Sequence, residues 1–499
     1  METVIEKTTT TNLEKYFSKF RGNTIGVNHT FESEYGTQKL LYADWIASGR
    51  LYIPIEDIML NKIGPMIANT HSFSSETGKA STYAYQHARS LIKKHVNANN
   101  ADCLVTTGTG MTAALSKLQR IMGLRSQDNI YNVNLQLDDE RPVVFITHME
   151  HHSNQVPWYE TIADVVILPA NEYNLVDPKI LAEEIKKYKN RSLKIGSFTA
   201  CSNVTGIITP YHELAKIMHQ NGGYCFVDFA ASAPYVSINM HPEDPEEQLD
   251  AIFFSPHKFL GGPGTCGVLV FNEKLYKSNF PDNPGGGNVK CTNPWGGYYY
   301  SDAIEVKEDG GTPGFLQVMR TALCLELKEQ MDVENIKKRE KELLNLCYSK
   351  LQKIDGLSIL GDLNTERIGC VSFTISNIHY NLIVRLLNDR FGIQVRGGWS
   401  CASTYAHYLF GINEEESAEM TKELLQKNLS NKPGWVRISL HPTMTSDELL
   451  FICDAIQKVV FYYKEWKGAY KYNATNNEFE NILNKETIAE DVKEWFSLE

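Results

Sequence analysis

Between residues 40 and 270, short apolar runs alternate with stretches of helical periodicity. Residues 111–123 and 211–223 carry the helical pattern, and the continuously apolar runs are 103–107, 142–148, 163–169, 194–200, 223–229, 251–255 and 266–272. Strands that are apolar on both faces and spaced by helices are typical of a parallel sheet covered by helices on each side. The pattern therefore predicts an α/β fold whose large domain contains a mostly parallel, seven-stranded sheet.

The rest of the chain predicts a second, smaller domain. Residues 278–300 are rich in Gly, Pro and Asn and indicate a long ordered loop, and residues 314–354 form a long helical pattern that links the two domains. The segments 369–376, 379–396, 435–442 and 446–466 are typical of a small α+β domain. We expect an N-terminal arm over 1–39, a large domain over 40–305, a small C-terminal domain over 306–467 and a terminal helix or tail over 468–499.

Composition narrows the class of protein. The chain has 499 residues, of which 42% are hydrophobic, and a formal net charge of -11 at pH 7. This length supports a large core in more than one domain, and the acidic charge argues against nucleic acid as a partner. No run approaches the ~20 apolar residues that span a bilayer, and no apolar segment at the start indicates a secretory signal. The ten cysteines show no CxxC pair or metal-ligand spacing, so we expect reduced thiols in a cytoplasmic protein that holds no metal.

Two charged side chains follow buried strands. Lys258 comes three residues after the run 251–255 and before a glycine-rich turn, and Asp228 is the penultimate residue of the run 223–229. Ligands collect at the carboxyl ends of strands in open α/β sheets. A lysine there is suited to form a Schiff base with an aldehyde cofactor, and a carboxylate is suited to pair with a protonated ring nitrogen. Taken alone, a surface lysine and an N-cap aspartate are the alternative interpretations.

A glycine-rich turn at residues 108–110 joins a predicted strand to a predicted helix. Gly108, Thr109 and Gly110 offer free backbone N–H groups at the positive end of the helix dipole, which suits an anion such as phosphate. Ser255 and His257, on either side of Pro256, are candidate side-chain donors to the same anion. A tight connection without a ligand is the alternative, since no Walker lysine follows the turn.

Two further residues follow predicted strands. His151 lies in a histidine pair after the run 142–148, where it is suited to stack on a cofactor ring; a zinc pair is the alternative, although no acidic or cysteine ligand lies at helical spacing. Asn203 follows the run 194–200 and is a candidate donor to a ring oxygen, or otherwise a turn asparagine.

The order of these motifs resembles that of the class V aminotransferase family, which consists of fold-type I enzymes dependent on pyridoxal 5'-phosphate (PLP). The branch of cysteine desulfurases and selenocysteine lyases is the most similar. The resemblance covers about residues 40–460, and its motifs are YADWIASGR, NTHSFSSETG, EHHSNQVPW, SNVTGI, VDFAASAPY, SPHKFLGGPG, EDGGTPGF, VRGGWSCAST and WVRISL.

The resemblance implies PLP as the cofactor and a role for each candidate residue. Lys258 carries the Schiff base, Asp228 pairs with the ring nitrogen, His151 stacks on the ring and Asn203 contacts the ring oxygen. Thr109, Ser255 and His257 hold the phosphate. The family is typically a homodimer, which implies that Thr312 in the GGTPG segment reaches the partner's phosphate.

The resemblance also implies where an amino-acid substrate binds. Arg437 matches the arginine that takes the α-carboxylate, and a guanidinium suits a bidentate pair with a carboxylate; a surface salt bridge is the alternative. His71 matches another active-site histidine. Cys401, five residues after Arg396, matches the cysteine that attacks the substrate's sulfur and becomes a persulfide, which is then passed to an acceptor. A buried, inert thiol is the alternative for Cys401.

Two departures from the desulfurase pattern leave the reaction open. Ala231 stands where many desulfurases have a Gln that donates to the ring oxygen, and residues 406–434 form an extra charged, helical segment between Cys401 and Arg437. We therefore expect an enzyme that converts L-cysteine to L-alanine with a persulfide on Cys401. The alternatives are transamination, epimerisation or a lyase reaction on another amino acid without Cys401, and a non-catalytic protein of the same fold.

Overall fold

The computed structural model describes residues 11–125, 141–483 and 488–498. In these ranges the α-helices are α1 (Asn12–Gly22), α2 (Ile53–Asp57), α3 (Glu76–His95), α4 (Met111–Ile121), α5 (His152–Tyr159), α6 (Pro178–Glu184), α7 (Tyr211–Gln220), α8 (Ile304–Lys307), α9 (Phe315–Met331), α10 (Val333–Leu351), α11 (Tyr380–Phe391), α12 (Ser403–Phe410), α13 (Glu414–Leu425), α14 (Ser446–Trp466) and α15 (Ile488–Glu494). The strands are β1 (Thr30–Ser33), β2 (Gly36–Lys39), β3 (Leu41–Tyr42), β4 (Asp102–Thr107), β5 (Val143–Thr147), β6 (Asp164–Leu168), β7 (Lys194–Thr199), β8 (Tyr224–Asp228), β9 (Ala251–Phe254), β10 (Gly267–Asn272), β11 (Val289–Thr292), β12 (Tyr298–Tyr300), β13 (Leu357–Ile359), β14 (Cys370–Ile375), β15 (Ile393–Gln394), β16 (Arg396–Gly398), β17 (Trp435–Ser439), β18 (Tyr470–Asn473) and β19 (Glu478–Asn481).

The predicted seven-stranded sheet is confirmed. All seven apolar runs form strands of one sheet, in the order β4-β10-β9-β8-β7-β5-β6. The pairs among β5 to β9 are parallel, and β10 runs antiparallel to both of its neighbours. Strands such as β5, β7 and β9 are buried along their whole length. Their apolar side chains on both faces are therefore covered, as a mostly parallel sheet requires.

A second sheet lies in the C-terminal half of the chain. Strands β13, β14, β17 and β16 pair antiparallel in that order, and α10, α11 and α14 share an apolar core with them. The short strand β3 pairs parallel with β15, so the segment after β3 is tied to the strand that precedes β16. This pairing brings residues that are about 350 positions apart in the sequence next to each other.

Three segments differ in secondary structure from what their sequence pattern indicates. Residues 278–300 contain a β11–β12 hairpin within the predicted loop. The helical run 314–354 is two helices, because Asp332 adopts a φ of 62° and its carboxylate accepts from the backbone N–H groups of Glu334 and Asn335. The C-terminal segment contains a β18–β19 hairpin before the expected terminal helix α15. The predicted helical character of 406–434 is confirmed by α12 and α13.

Candidate active site

A cavity of about 270 Å³ lies beyond the carboxyl ends of the central strands. Its walls come from the ends of β7, β8 and β9, from the turn after β5, and from the loop and strand that carry Arg396 to Cys401 and Arg437. The lining residues include Met111, His151, Thr199, Cys201, Asn203, Asp228, Ala231, Ser255, His257, Lys258, Arg396, Ser400, Cys401 and Arg437. Chain topology places ligands at this end of an α/β sheet.

Lys258 lies on a 3-10 turn, Pro256–Lys258, that follows β9. Burial lowers the pKa of the Lys258 ammonium, and the nearby Asp228 carboxylate opposes that shift. The arginines Arg437 and Arg396 lower the pKa of Lys258 further. A lysine amine with a lowered pKa is neutral more of the time, and the neutral form is the one that attacks a carbonyl.

Asp228 ends β8, and its side chain is buried in the cavity floor. The backbone N–H of Ala230 donates to Asp228 Oδ1 at 2.7 Å. Burial raises the pKa of Asp228 to about 6, although this hydrogen bond and Lys258 both favour the ionised form. A carboxylate in this position is stabilised by a cation placed against it inside the cavity.

His151 caps the N-terminus of α5. Its Nδ1 accepts a hydrogen bond from the backbone N–H of Ser153 at 3.0 Å, so the neutral ring carries its proton on Nε2. Burial, followed by the charge of Lys258, lowers the pKa of His151 to about 3. The imidazole therefore stays neutral at physiological pH, and its Nε2 is a proton donor rather than a base.

Arg437 and Asn203 contact each other in the cavity lining. Arg437 lies on β17 with 2% of its surface exposed; its Nη1 donates to the carbonyl oxygen of Asn203 at 2.9 Å, and its Nη2 donates to Asp44 Oδ1 at 2.7 Å. Asn203 Nδ2 donates to the carbonyl oxygen of Ser400 at 2.7 Å. Arg437 Nε and Asn203 Oδ1 are buried without a hydrogen-bond partner in the part of the chain that the structure describes.

The turn at residues 108–110 forms the rim of the cavity beside the lysine turn. The backbone N–H of Met111, the first residue of α4, donates to Ser255 Oγ at 2.9 Å, and His257 Nδ1 donates to the carbonyl oxygen of Thr109 at 2.9 Å. A Cβ on Gly110 would lie 2.9 Å from Ser255 Oγ, too close for any side chain. The absence of a side chain at Gly110 therefore lets the helix N-terminus approach the lysine turn, as an anion site requires.

Cys401 is exposed and lines the same cavity. Ser400 and Cys401 both adopt left-handed backbone conformations, with φ of 49° and 57°. Three hydrogen bonds hold the loop in this shape: His152 N–H donates to the Cys401 carbonyl at 2.8 Å, Asn203 donates to the Ser400 carbonyl, and Trp435 Nε1 donates to Ser400 Oγ at 3.3 Å. The Cys401 thiol therefore lies on a turn whose backbone is fixed by hydrogen bonds from three other elements.

Five candidates are not among the residues that line the cavity of a single chain: His71 and Thr312, and Gly108, Thr109 and Gly110 of the turn that contacts the lysine turn. His71 and Thr312 are the two that lie outside this turn. Both are exposed. The His71 ring lies 6.5 Å from the ring of Tyr85, whose hydroxyl donates to Asp309 Oδ2 at 2.7 Å. The two candidates thus belong to one exposed region, formed by the segment after Thr70 and by the GGTPG segment.

The structure adds residues that the sequence did not single out. Cys201 and Thr199 line the cavity, and burial raises the pKa of the Cys201 thiol. Asp44, in the YADWIASGR motif, bonds both Arg437 and Arg396. The position of Asp44 two residues after a short strand-like pair was the only local sequence signal, because its arginine partners lie more than 350 residues away.

The histidine pair has no metal-binding surroundings. The rings of His151 and His152 are 6.3 Å apart, and within the described ranges no group of three or more His, Cys, Asp or Glu side chains is arranged to hold a metal ion. No helix in those ranges is both long and apolar enough to cross a membrane.

Comparisons with known proteins point to one family. The sequence profile described as Aminotransferase class-V matches residues 42–451. A protein of Halalkalibacterium halodurans named probable cysteine desulfurase is 29% identical over 384 residues, covering 76% of this chain and 88% of that protein. A probable cysteine desulfurase of Staphylococcus epidermidis is 27% identical, covering 76% of this chain and 87% of its own length.

Solved structures share the fold. A cysteine desulfurase from Thermococcus onnurineus superposes with a TM-score of 0.69 at 22% identity, covering 85% of this chain and 95% of that one. A cysteine desulfurase from Escherichia coli gives a TM-score of 0.68 at 21% identity, covering 89% and 98%. The profile match spans most of the chain and includes every residue that lines the cavity. This protein therefore belongs to the class V aminotransferase family, whose enzymes depend on PLP.

Proposed function

We propose that this enzyme transfers sulfur from L-cysteine to Cys401, leaving L-alanine and a cysteine persulfide. The observation that carries the proposal is that an exposed thiol, Cys401, lines the same cavity as Lys258 and Arg437. The names of the relatives from Halalkalibacterium and Staphylococcus support the same reaction.

The cavity residues fit PLP. Asp228 is a buried carboxylate of raised pKa that a protonated ring nitrogen would stabilise. Asn203 Oδ1 and Arg437 Nε are buried polar atoms without partners, as expected of walls that contact a polar ligand. The close approach of Gly110 to Ser255 opens the N-terminus of α4 to a phosphate.

Each residue then has a defined task. Lys258 would hold PLP covalently and move the proton at the α-carbon, and Asp228 would hold the proton on the ring nitrogen. His151 would cover the ring face, and Asn203 would contact the ring oxygen. The phosphate would be held by the turn Gly108, Thr109 and Gly110 with Ser255 and His257. When bound, PLP supplies an electron sink for negative charge at the substrate α-carbon.

Sulfur transfer follows from the placement of Cys401. Arg437 would bind the α-carboxylate by a charge-assisted pair, which orients the substrate side chain within the cavity. The Cys401 thiolate would then attack the substrate's sulfur: the C–S bond breaks, the S–S bond of the persulfide forms, and the carbon fragment takes up protons to become alanine. No external oxidant is needed, since the sulfur atom is transferred without net electron loss from the pair of reactants.

Partners and location are part of the proposal. We infer a homodimer in which Thr312 reaches the partner's phosphate and His71 lies near the shared site, because both residues are exposed outside the single-chain cavity. A sulfur-acceptor protein would take the persulfide from Cys401. All ten cysteines lie in the described ranges as free thiols, which supports a reducing, cytoplasmic compartment. The domain bounds 1–39, 40–305, 306–467 and 468–499 belong to this proposal too.

Replacement of Cys401 tests the reaction. Cys401→Ser is expected to retain the cofactor absorbance and to lose formation of alanine and sulfide from L-cysteine with a thiol reductant. Cys291→Ser is the matched control, because Cys291 is the other exposed cysteine and lies on β11 away from the cavity. Undiminished alanine formation by Cys401→Ser would remove this thiol from the mechanism.

A second reaction is favoured by one observation. Ala231 lines the cavity where many desulfurases place a Gln, so no side-chain donor at that position can reach the ring oxygen. A transamination, epimerisation or lyase reaction would use Lys258, Asp228 and Arg437 and leave Cys401 dispensable. Incubation with an amino donor alone tests for transamination, since a transaminase converts its cofactor to the pyridoxamine form and a desulfurase does not. Undiminished turnover by Cys401→Ser would favour the epimerisation or lyase reaction.

A further inference from the structure

Two arginines face each other across neighbouring strands at the cavity wall. Strands β16 and β17 pair antiparallel with Arg396 directly opposite Arg437, and both residues line the cavity. Like charges that are directly opposite on paired strands repel each other. The arrangement therefore requires an anion close to both guanidinium groups.

Asp44 is that anion. Its Oδ1 accepts from Arg437 Nη2 at 2.7 Å, and its Oδ2 accepts from Arg396 Nε at 3.0 Å. The parallel pairing of β3 with β15 places Asp44 by backbone hydrogen bonds, just beside the strand that carries Arg396. The Asp44 side chain is only 13% exposed. Its carboxylate is therefore largely shielded from water and relies on the two arginines for its hydrogen bonds.

One positive charge is left for a ligand. Arg437 has a buried Nε–H without a partner, whereas half of the Arg396 side chain is exposed and its Nε is bonded to Asp44. Two guanidinium groups and one carboxylate give a net charge of one. Both arginines line the same cavity as Lys258, so this charge is available to the carboxylate of an amino acid that binds beside Lys258.

We propose that Asp44 is a specificity-determining residue: by pairing with both arginines, it leaves one net positive charge for the α-carboxylate and excludes amino acids with an acidic side chain. A second carboxylate on the ligand would be repelled by the Asp44 carboxylate. The guanidinium group of Arg396 would not offset this repulsion, because it is already paired with Asp44. Repulsion of this kind selects against the wrong ligand rather than for the right one. The inference rests on the proposed function, because Arg437 is taken as the α-carboxylate site.

The test compares two ligands on the same holoenzyme. L-Alanine and L-aspartate are titrated separately, each Kd is measured from the change in cofactor absorbance, and the ratio of the two Kd values is compared between variants. Asp44→Asn is expected to shift the ratio about tenfold in favour of L-aspartate. Arg396→Gln is expected to shift it the opposite way, and the double variant is expected to return near the wild-type ratio because its net charge is again one.

Asp57→Asn is the matched control, since Asp57 is an exposed aspartate on α2 outside the cavity. An Asp44→Asn ratio within about twofold of the wild-type ratio, in folded protein with full cofactor content, would overturn the proposal. If Asp44→Asn does not fold, Arg396→Gln decides alone: a ratio shifted against L-aspartate supports the proposal, and an unchanged ratio overturns it. A separate variant tests the proposed function on which this inference rests. If Arg437 does not bind the α-carboxylate, Arg437→Lys should leave the Kd of L-alanine unchanged.

Discussion

The buried carboxylate of Asp228 links cofactor binding to the stability of the protein. Burial raises its pKa from 3.8 to about 6. Between these pH values the folded chain holds more protons than the unfolded chain, so stability falls as pH rises, and the loss is complete above about pH 6. With ~1.4 kcal/mol per pKa unit, the ionised group costs about 2–3 kcal/mol of folding free energy in the absence of the cofactor.

Asp228→Asn is therefore expected to stabilise the cofactor-free protein. At about pH 7.5 its free energy of unfolding should rise by about 2 kcal/mol, and at about pH 5 by roughly half as much, because the wild-type carboxyl is then largely protonated in the folded state. Denaturant titration at the two pH values measures both quantities, and Asp57→Asn should show no such change. An equal effect at both pH values would mean that the charge of Asp228 is not the cause. The same variant should bind PLP more weakly, since the ring nitrogen loses its counter-charge.

Lys258 is expected to be the site of covalent attachment of PLP. Borohydride reduction of the holoenzyme, followed by peptide mass mapping, should find a pyridoxyl group at position 258, and Lys258→Ala should carry none. Lys277→Ala, which removes an exposed lysine, should retain the label. An unlabelled Lys258 peptide from folded, cofactor-supplied wild-type protein contradicts the assignment.

At the scale of elements, the Cys401 turn depends on helices α5 and α12. His152, at the start of α5, accepts at Nε2 from the backbone N–H of Ser403 at 3.1 Å and lies 2.9 Å from Ser403 Oγ. Burial and the charge of Lys432 lower the pKa of His152, so the ring stays neutral and can accept. A histidine from the large sheet domain therefore fixes the first residue of the helical segment that follows Cys401.

His152→Ala is expected to loosen this turn without removing a cavity residue. Loss of the hydrogen bonds should cost about 1 kcal/mol, which corresponds to roughly fivefold faster hydrogen exchange at residues 399–404. Exchange measured by mass spectrometry checks this, with His212→Ala as the control, because His212 bonds the carbonyl of Glu247 elsewhere. Unchanged exchange at residues 399–404 would show that the turn does not depend on His152.

At the scale of the whole molecule, the single chain leaves large apolar side chains of one hairpin exposed to solvent. The hairpin β11–β12 exposes 89% of Trp295 and 66% of Tyr299, and His71 and Thr312 are exposed as well. Exposed apolar surface of this kind is typical of places where another protein packs. In the proposed homodimer, a second copy of the chain would cover this surface, and Thr312 would reach the partner's phosphate.

Light scattering of the holoenzyme is expected to give the mass of two chains. Thr312→Val should weaken PLP binding severalfold, since one charge-assisted hydrogen bond to the phosphate is lost, while Thr421→Val, an exposed threonine on α13, should not. A fully active species with the mass of one chain would contradict the dimer.

The sequence by itself determined the sheet and the position of most cavity residues along it. The seven strands were readable because each is a short, mostly apolar run, which is typical of strands covered on both faces of a sheet. Lys258, Asp228, His151 and Asn203 were readable because each lies near the end of such a run or within three residues after it. Two hairpins and the break at Asp332 escaped prediction, since short polar strands and a single residue with positive φ leave almost no periodic signal.

Only the tertiary structure decided which side chains contact one another across long stretches of sequence. Asp44 meets Arg396 and Arg437 because β3 pairs with β15, and nothing in the local sequence encodes a partner so far away. The braced shape of the Cys401 turn likewise comes from His152, Asn203 and Trp435 on three other elements. Local patterns report whether a position is buried and on which element it lies. The charge, pKa and contacts of a site depend on distances that exist only in the folded chain.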